Sequence, residues 1–258
     1  MSLSRCLYGL QQSPRYFYEY LAQWIERQGV VASKFDPCLF LSKDLIVICY
    51  VADLLLYARD DVIIDDFISH MKEKEHVVLR HEVTAEGFLG VDIKRDGNRT
   101  TLTQVGLKKR NIEALRLNSK YSTATSTPAE RTALPRDRNG HPASGTIKYP
   151  SVVGMMLYLC SHSHPKIAFV VHQCVRCTCE PKRSHEVALK RIGQYLKGCI
   201  DKGLILDPTD DFNINCYPDA NFAGLWGHED PQDPHSVRSC TDYVITLAGC
   251  PILWRSSI

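Results

Sequence analysis

Residues 45–58 read Leu-Ile-Val-Ile-Cys-Tyr-Val-Ala-Asp-Leu-Leu-Leu-Tyr-Ala. Two β-prone apolar runs, 45–51 and 54–58, flank a polar-leaning break at Ala52-Asp53. That is the pattern of a hairpin with one carboxylate at its tip. Asp53 interrupts the run, and the run is too short to span a bilayer, so no membrane role is indicated. Working outward, Ser13-Pro14 supplies an N-cap followed by proline at the first helical position. Phe17, Leu21, Trp24, Ile25 and Gln28 fall on one face of the helix that follows, and Gly29 closes it. Asp36-Pro37 is a turn, and 38–41 a further strand. Residues 60–74 predict a helix with acids first and lysines last, matching its macrodipole.

Downstream, strands are expected at 87–94 and 99–103, joined by the hairpin turn Asp96-Gly97-Asn98. A basic helix at 105–117 carries Lys108, Lys109 and Arg110. Residues 118–146 are rich in Ser, Thr, Pro and charge with little apolar periodicity, so they read as a linker or exposed excursion. Helices resume at 149–161, 165–179 and 184–198, the last with Ser184 as N-cap and Gly198 as its stop. Strands follow at 203–206, 213–217, 242–247 and 251–254. The fold class is α+β, with boundaries near 118–148 and near 200.

With 44% hydrophobic and 23% charged residues, the composition is that of a globular chain able to bury a core. The net charge of +2 lacks the basic excess of a free-standing nucleic-acid binder, and leaves room for local basic patches. The 11 cysteines are odd in number and sit mostly in apolar or helical stretches. The polar, mixed residues 1–5 do not read as a signal peptide. Reduced intracellular thiols are therefore expected, rather than a disulfide framework.

Ten segments in fixed order resemble copia-type retrotransposon Pol polyproteins. Leu7-Tyr8-Gly9-Leu10-Gln11-Gln12-Ser13-Pro14-Arg15 is similar to their LYGL(K)QSPR. Asp36-Pro37-Cys38-Leu39-Phe40 resembles DP(S/C)LF, and Tyr50-Val51-Ala52-Asp53 stands in the place of the YVDD box. Phe88 to Ile93 resembles FLGIEI, Ser126-Thr127-Pro128 the STP after the thumb, and Tyr149 to Leu159 YRSIVGSLMYL. Pro165 to Phe169 resembles RPDIAFAV, and Lys190 to Gly198 KRILRYLKG. Tyr217 to Gly224 resembles YSDADWAG, and Gly249 to Trp254 GNPISW. Each match alone is weak; ten in order over nearly the whole chain are specific.

The resemblance implies a partial reverse transcriptase palm and thumb over 1–117 and a linker over 118–148. It implies a helical connection over 149–200 and an incomplete RNase H-like sheet over 201–258. It implies RNA-directed DNA polymerase and RNase H activities, Mg2+ as cofactor, and an RNA or DNA template-primer as partner, together with the rest of the polyprotein. The family setting is intracellular, in a cytoplasmic virus-like particle or the nucleus. Gly9, Gln12, Ser13, Pro14 and Arg15 take the place of the element lining the templating base and incoming nucleotide, although Ser13-Pro14 is equally a plain helix start. Phe88, Leu89 and Gly90 take the place of the primer grip, or of an ordinary core hairpin. Lys108, Lys109 and Arg110 take the place of a thumb face toward the nucleic-acid backbone, where cations release counterions; a solvated basic face is the alternative.

Two-metal nucleotidyl transfer needs clustered carboxylates, and magnesium prefers such hard oxygen ligands. Here Ala52 stands where the family has its first box aspartate, leaving Asp53. The family's other palm aspartate lies upstream of the segment at 7–15, and its RNase H glutamate lies beyond the segment at 249–254. The 258 residues contain neither. Asp219 matches the first RNase H acid, while Asn221 and Phe222 replace the next Asp and Trp. Both metal sites are thus expected to be incomplete, with Asp53 a solvated turn residue and Asp219 a strand-end residue as the bland alternatives. A catalytically dead fragment is the expectation, and changing Ala52 to Asp alone is not expected to restore activity. A non-catalytic nucleic-acid or protein-binding relic of a transposable element is the second reading, and an unrelated globular binding module the third. His172, Cys174, Cys177 and Cys179 are too compressed for a convergent zinc site and read as buried thiols.

Overall fold

A computed structural model describes residues 9–75, 80–82, 87–119, 121–130, 133–221, 224–227, 229, 232 and 234–257. Leu7, Tyr8, Phe222 and Ala223 of the motifs above lie outside these described residues. Among the described residues the architecture is α+β, with mixed helices and three antiparallel sheets. The chain divides into two compact units, Met1–Phe88 and Leu89–Ile258.

The first unit holds a four-stranded sheet in the order β1 (Val31–Ala32), β2 (Leu39–Leu41), β3 (Leu45–Tyr50) and β4 (Asp53–Ala58). It also holds helices α1 (Ser13–Arg27) and α2 (Asp61–Glu75). Alternation along β3 turns Leu45, Val47 and Cys49 inward, where they meet Leu21, Trp24 and Ile25 of α1 and Phe67 and Met71 of α2. Trp24 and Phe67 touch edge to face, with centroids 5.1 Å apart. Phe17, expected on the buried face, is exposed instead. So is much of the other side of the sheet, where Ile46 faces Tyr57 across the β3–β4 pair. The helix start is also corrected. Gln12 occupies the cap position without a side-chain bond, and Ser13 is already helical, with Pro14 behind it.

In the second unit, β5 (Asp92–Asp96), β6 (Arg99–Thr103) and β7 (Leu204–Leu206) form one sheet. The expected strand at 87–94 is shorter because Leu89 and Gly90 both adopt left-handed backbone, a tight turn that delays the ladder with β6 until Asp92. β5 and β6 close over the two-residue loop Gly97-Asn98, with Gly97 at a positive φ, as a hairpin of that sequence requires. Gly203 is forced by close approach: a Cβ there would sit 1.9 Å from the Leu102 carbonyl oxygen.

Helix α3 (Val105–Ala114) ends earlier than its pattern suggested. Arg116 turns left-handed, and Leu117 N–H donates back to the Ile112 carbonyl at 2.9 Å, a Schellman close that drops Leu115 and Leu117 into the core. They pack with α4 (Tyr149–His162), α5 (Ala168–Val175) and α6 (Arg183–Gly198). The expected helix at 165–179 is a short 3-10 turn at Pro165–Ile167 followed by α5. Ser184 does not cap α6. Lys182 does, its N–H donating to Nδ1 of His185, while the Ser184 hydroxyl donates to Asp137.

Within the stretch at 118–148 the chain is packed rather than free. Ile147 is buried, the Lys197 ammonium donates to the carbonyls of Leu117, Ser119 and Ser122, and Pro142 bridges to Lys182. Backbone polarity is thereby satisfied by α6 in the absence of regular structure. The last sheet runs β10 (Cys250–Ser257), β9 (Cys240–Leu247), β8 (Ile214–Asn221), with β8 at an open edge. The Trp254 indole N–H donates to the Cys160 carbonyl at 2.7 Å, tying this sheet to α4.

Candidate functional site

At the tip of the β3–β4 hairpin, Tyr50 pairs directly with Asp53, and Val51-Ala52 form the two-residue loop. Such loops need positive φ, and here Val51 takes it, at 55°. A β-branched side chain in that region is strained by about 1–3 kcal/mol, a feature found at functional tips. Asp53 is exposed, and Ala52 beside it offers no ligand. Among the described residues no group of three His, Cys, Asp or Glu side chains lies close enough to hold a metal. A lone solvent-facing carboxylate does not fit a two-metal centre.

Gly9, Gln12, Pro14 and Arg15 are all exposed at the start of α1, with Ser13 half-buried and Gly9 at a φ of 95°. Arg15 pairs with Glu19 one turn on, at 2.8 Å, an exposed contact of little energetic weight. Phe88 and Leu89 are half-buried and Gly90 exposed, and the Leu89 carbonyl accepts from the Tyr158 hydroxyl at 2.6 Å.

The basic triplet of α3 divides. Lys109 and Arg110 are exposed, whereas Lys108 has no solvent exposure. Its ammonium donates to the carbonyls of Cys199, Ile200 and Lys202, just past the C-terminus of α6. Lys108 is therefore a cap for α6 and not a surface cation, because helix periodicity turns it inward beside Leu107 and Asn111. Burial pulls its pKa down to about 8. His164 lies in the same interior, with Nε2 3.8 Å from Sγ of Cys199, and burial with the Lys108 charge holds its pKa down at about 4.

Asp219 lies within β8, two residues beyond the strand end that its sequence suggested. In register it faces Asp242 of β9, which in turn faces Ser256 of β10. The three residues line a cavity of about 190 Å³ closed on one side by Ala168 and Phe169 at the start of α5. That Asp242 and Ser256 would face Asp219 was not legible in the sequence, since cross-strand register is not written in any one strand. A larger cavity of about 550 Å³ runs beside α5 and α6 between Pro128, Phe169 and Leu225. Arg191 at its wall is paired with Glu130 at 3.6 Å and donates to Thr127 at 3.0 Å.

Cys174 and Cys177 are buried in the core and Cys179 is exposed. Burial pushes the Cys174 thiol up to about 12 and that of Cys177 to about 11, which keeps both protonated and poor as metal ligands or nucleophiles.

A family model described as reverse transcriptase (RNA-dependent DNA polymerase) matches residues 1–130. The chain belongs to that family. Among its relatives are retrovirus-related Pol polyproteins of copia-type transposons. That of transposon RE1 of Arabidopsis thaliana is 28% identical over 98% of this chain and 17% of the relative. That of transposon TNT 1-94 of Nicotiana tabacum is 26% identical over 99% of this chain and 19% of the relative. A transposon Ty5-1 protein of Saccharomyces cerevisiae is 25% identical over 97% of this chain and 79% of its own length. The chain thus spans less than a fifth of the length of the two plant polyproteins. No solved structure matches it. No helix among the described residues is long and apolar enough to cross a membrane.

Proposed function

We propose that the chain is a piece of a copia-type reverse transcriptase and RNase H that does not polymerise DNA by itself. The observation that carries this is the hairpin tip, where Ala52-Asp53 offers one acid and two-metal nucleotidyl transfer needs a cluster. Loss of a metal ligand removes transition-state stabilisation worth orders of magnitude in rate. In this reading residues 1–117 are partial palm and thumb, 118–148 a linker, 149–200 a helical connection, and 201–258 the start of an RNase H-like domain. Gly9, Gln12, Ser13, Pro14 and Arg15 line the template and nucleotide, and Phe88, Leu89 and Gly90 the primer end. Lys109 and Arg110 meet phosphates, with Lys108 serving the fold instead. The partners are an RNA or DNA template-primer and the rest of the polyprotein, in a cytoplasmic virus-like particle or the nucleus. Mg2+ is the family's metal, and Asp53 alone holds it poorly.

The test is primer extension on an RNA template with Mg2+ or Mn2+. No product above a heat-inactivated control is expected, and template-dependent product overturns the proposal.

A further inference from the structure

We infer that the cavity of about 550 Å³ beside α5 and α6 binds a small apolar molecule ending in a carboxylate, which Arg191 holds. Helix periodicity builds two of its walls. On α6, Val187 and Ala188 stand four and three residues before Arg191, so all three share a face. On α5, Phe169 and Val170 stand in the same relation to Gln173. Each helix thus contributes two apolar side chains and one hydrogen-bond donor. The irregular segment at 128–135 supplies a third wall, with Leu134, and Leu225 completes the apolar lining. The volume falls within the roughly 300–1,000 Å³ of pockets that take small organic ligands. Phe169 and Val187 are exposed, so the cavity opens to solvent beside them.

Two lining residues have donors to spare. The Arg191 Nε is buried without a hydrogen-bond partner. Gln173 is only 3% exposed, and its Oε1 accepts from Arg176 at 3.2 Å. Its Nε2 reaches the Cys240 sulfur at 4.0 Å, a long contact to a weak acceptor. Buried donors left in this state are costly, and an acceptor brought by a ligand relieves the cost. A guanidinium fork matches a carboxylate in both charge and geometry. Glu130 holds Arg191 loosely, at 3.6 Å with its own side chain 66% exposed, so a ligand carboxylate displaces it at little cost. The Ser184 hydroxyl, also on the lining, is already committed to Asp137. With few polar groups elsewhere in the wall, the body of the ligand must be apolar, an alkyl or aryl chain against Leu134, Phe169, Val170 and Leu225.

The site lies within Leu89–Ile258 and does not depend on the polymerase proposal, which turns on Asp53 in the other unit. The experiment is a calorimetric titration of the full chain with phenylbutyrate and with decanoate, each beside its neutral primary amide. Saturable one-to-one binding of at least one acid is expected. Its affinity should fall roughly tenfold or more in the matching amide and in Arg191→Gln, as loss of a charge-assisted hydrogen bond implies. Glu130→Gln removes the competing carboxylate and should tighten the acid while leaving the amide unmoved. Val187→Asp, at an exposed position on the lining, sets a like charge against the acid and should weaken it without threatening the fold. Lys109→Met should change neither ligand. The inference is overturned if neither acid binds saturably, or if acid and amide bind alike. It is equally overturned if the affinity for the acid is unmoved by both Arg191→Gln and Val187→Asp.

Discussion

The two units treat their polar chemistry in opposite ways. In Met1–Phe88 the residues singled out for function lie at the surface: Asp53 at a hairpin tip, Arg15 and Gln12 at a helix start. In Leu89–Ile258 Lys109, Arg110 and Asp219 are exposed too, but other polar groups are drawn inward: Lys108 under α6, His164 beside Cys199, Asp242 and Ser256 beside α5. An exposed charge keeps its hydration and contributes to binding alone. A buried one must be paired, and its removal is felt by the whole fold. The first unit should therefore be probed by binding and catalysis, the second by stability.

The sharpest break in that contrast is Lys108→Met. It leaves the carbonyls of Cys199, Ile200 and Lys202 without their shared donor and should lower stability by roughly 3 kcal/mol, read as a drop in urea midpoint. Lys109→Met, its exposed neighbour, should stay within about 0.5 kcal/mol. If the two variants unfold alike, Lys108 is not the cap described.

His164 supplies a test by pH. Its folded pKa of about 4 lies below the ordinary 6.5, so the unfolded chain takes up the proton first. Stability from this group is complete above about pH 6.5, declines as pH falls through that window, and is lost below about pH 4. The shift corresponds to on the order of 3 kcal/mol in all. Urea melts at a series of pH values should show the decline, and His164→Gln should flatten it.

The smallest expected effect is at the hairpin tip. Val51→Gly removes a β-branched side chain from left-handed backbone and should raise stability by about 1 kcal/mol, net of glycine's added freedom in the unfolded chain. The β5–β6 hairpin, with Gly97 at φ 57°, is the natural comparison. A loss of stability on Val51→Gly would show that the valine side chain is packed rather than strained.

Much of the fold could be read from residues alone. Two apolar runs broken at Ala52-Asp53 pointed to the hairpin, and Asp96-Gly97-Asn98 to the second one, because short-range turn chemistry is local. The element boundaries were less legible. Ser13 and Ser184 looked like caps, but cap geometry depends on what the preceding residues do, and Gln12 and Lys182 took those places. Residues 118–148 read as a linker or exposed excursion; their packing against α6 leaves no periodic trace in a segment without regular structure. Asp53 and Asp219 were singled out by motif, whereas Asp242, which faces Asp219 across the β8–β9 pair, carried no motif at all.

By itself, the sequence determined the family, through ten ordered segments, and the loss of one box acid at Ala52, which no folding can repair. Only the tertiary structure decided which charges are free. Lys108, Lys109 and Arg110 are equivalent in composition, and the 100° step of a helix separates one from the other two. Asp219 and Asp242 lie apart in the chain, and antiparallel register sets them face to face. The physical reason is the same in both cases: burial and pairing are properties of neighbours brought from elsewhere in the chain, and they decide what an ionisable group does.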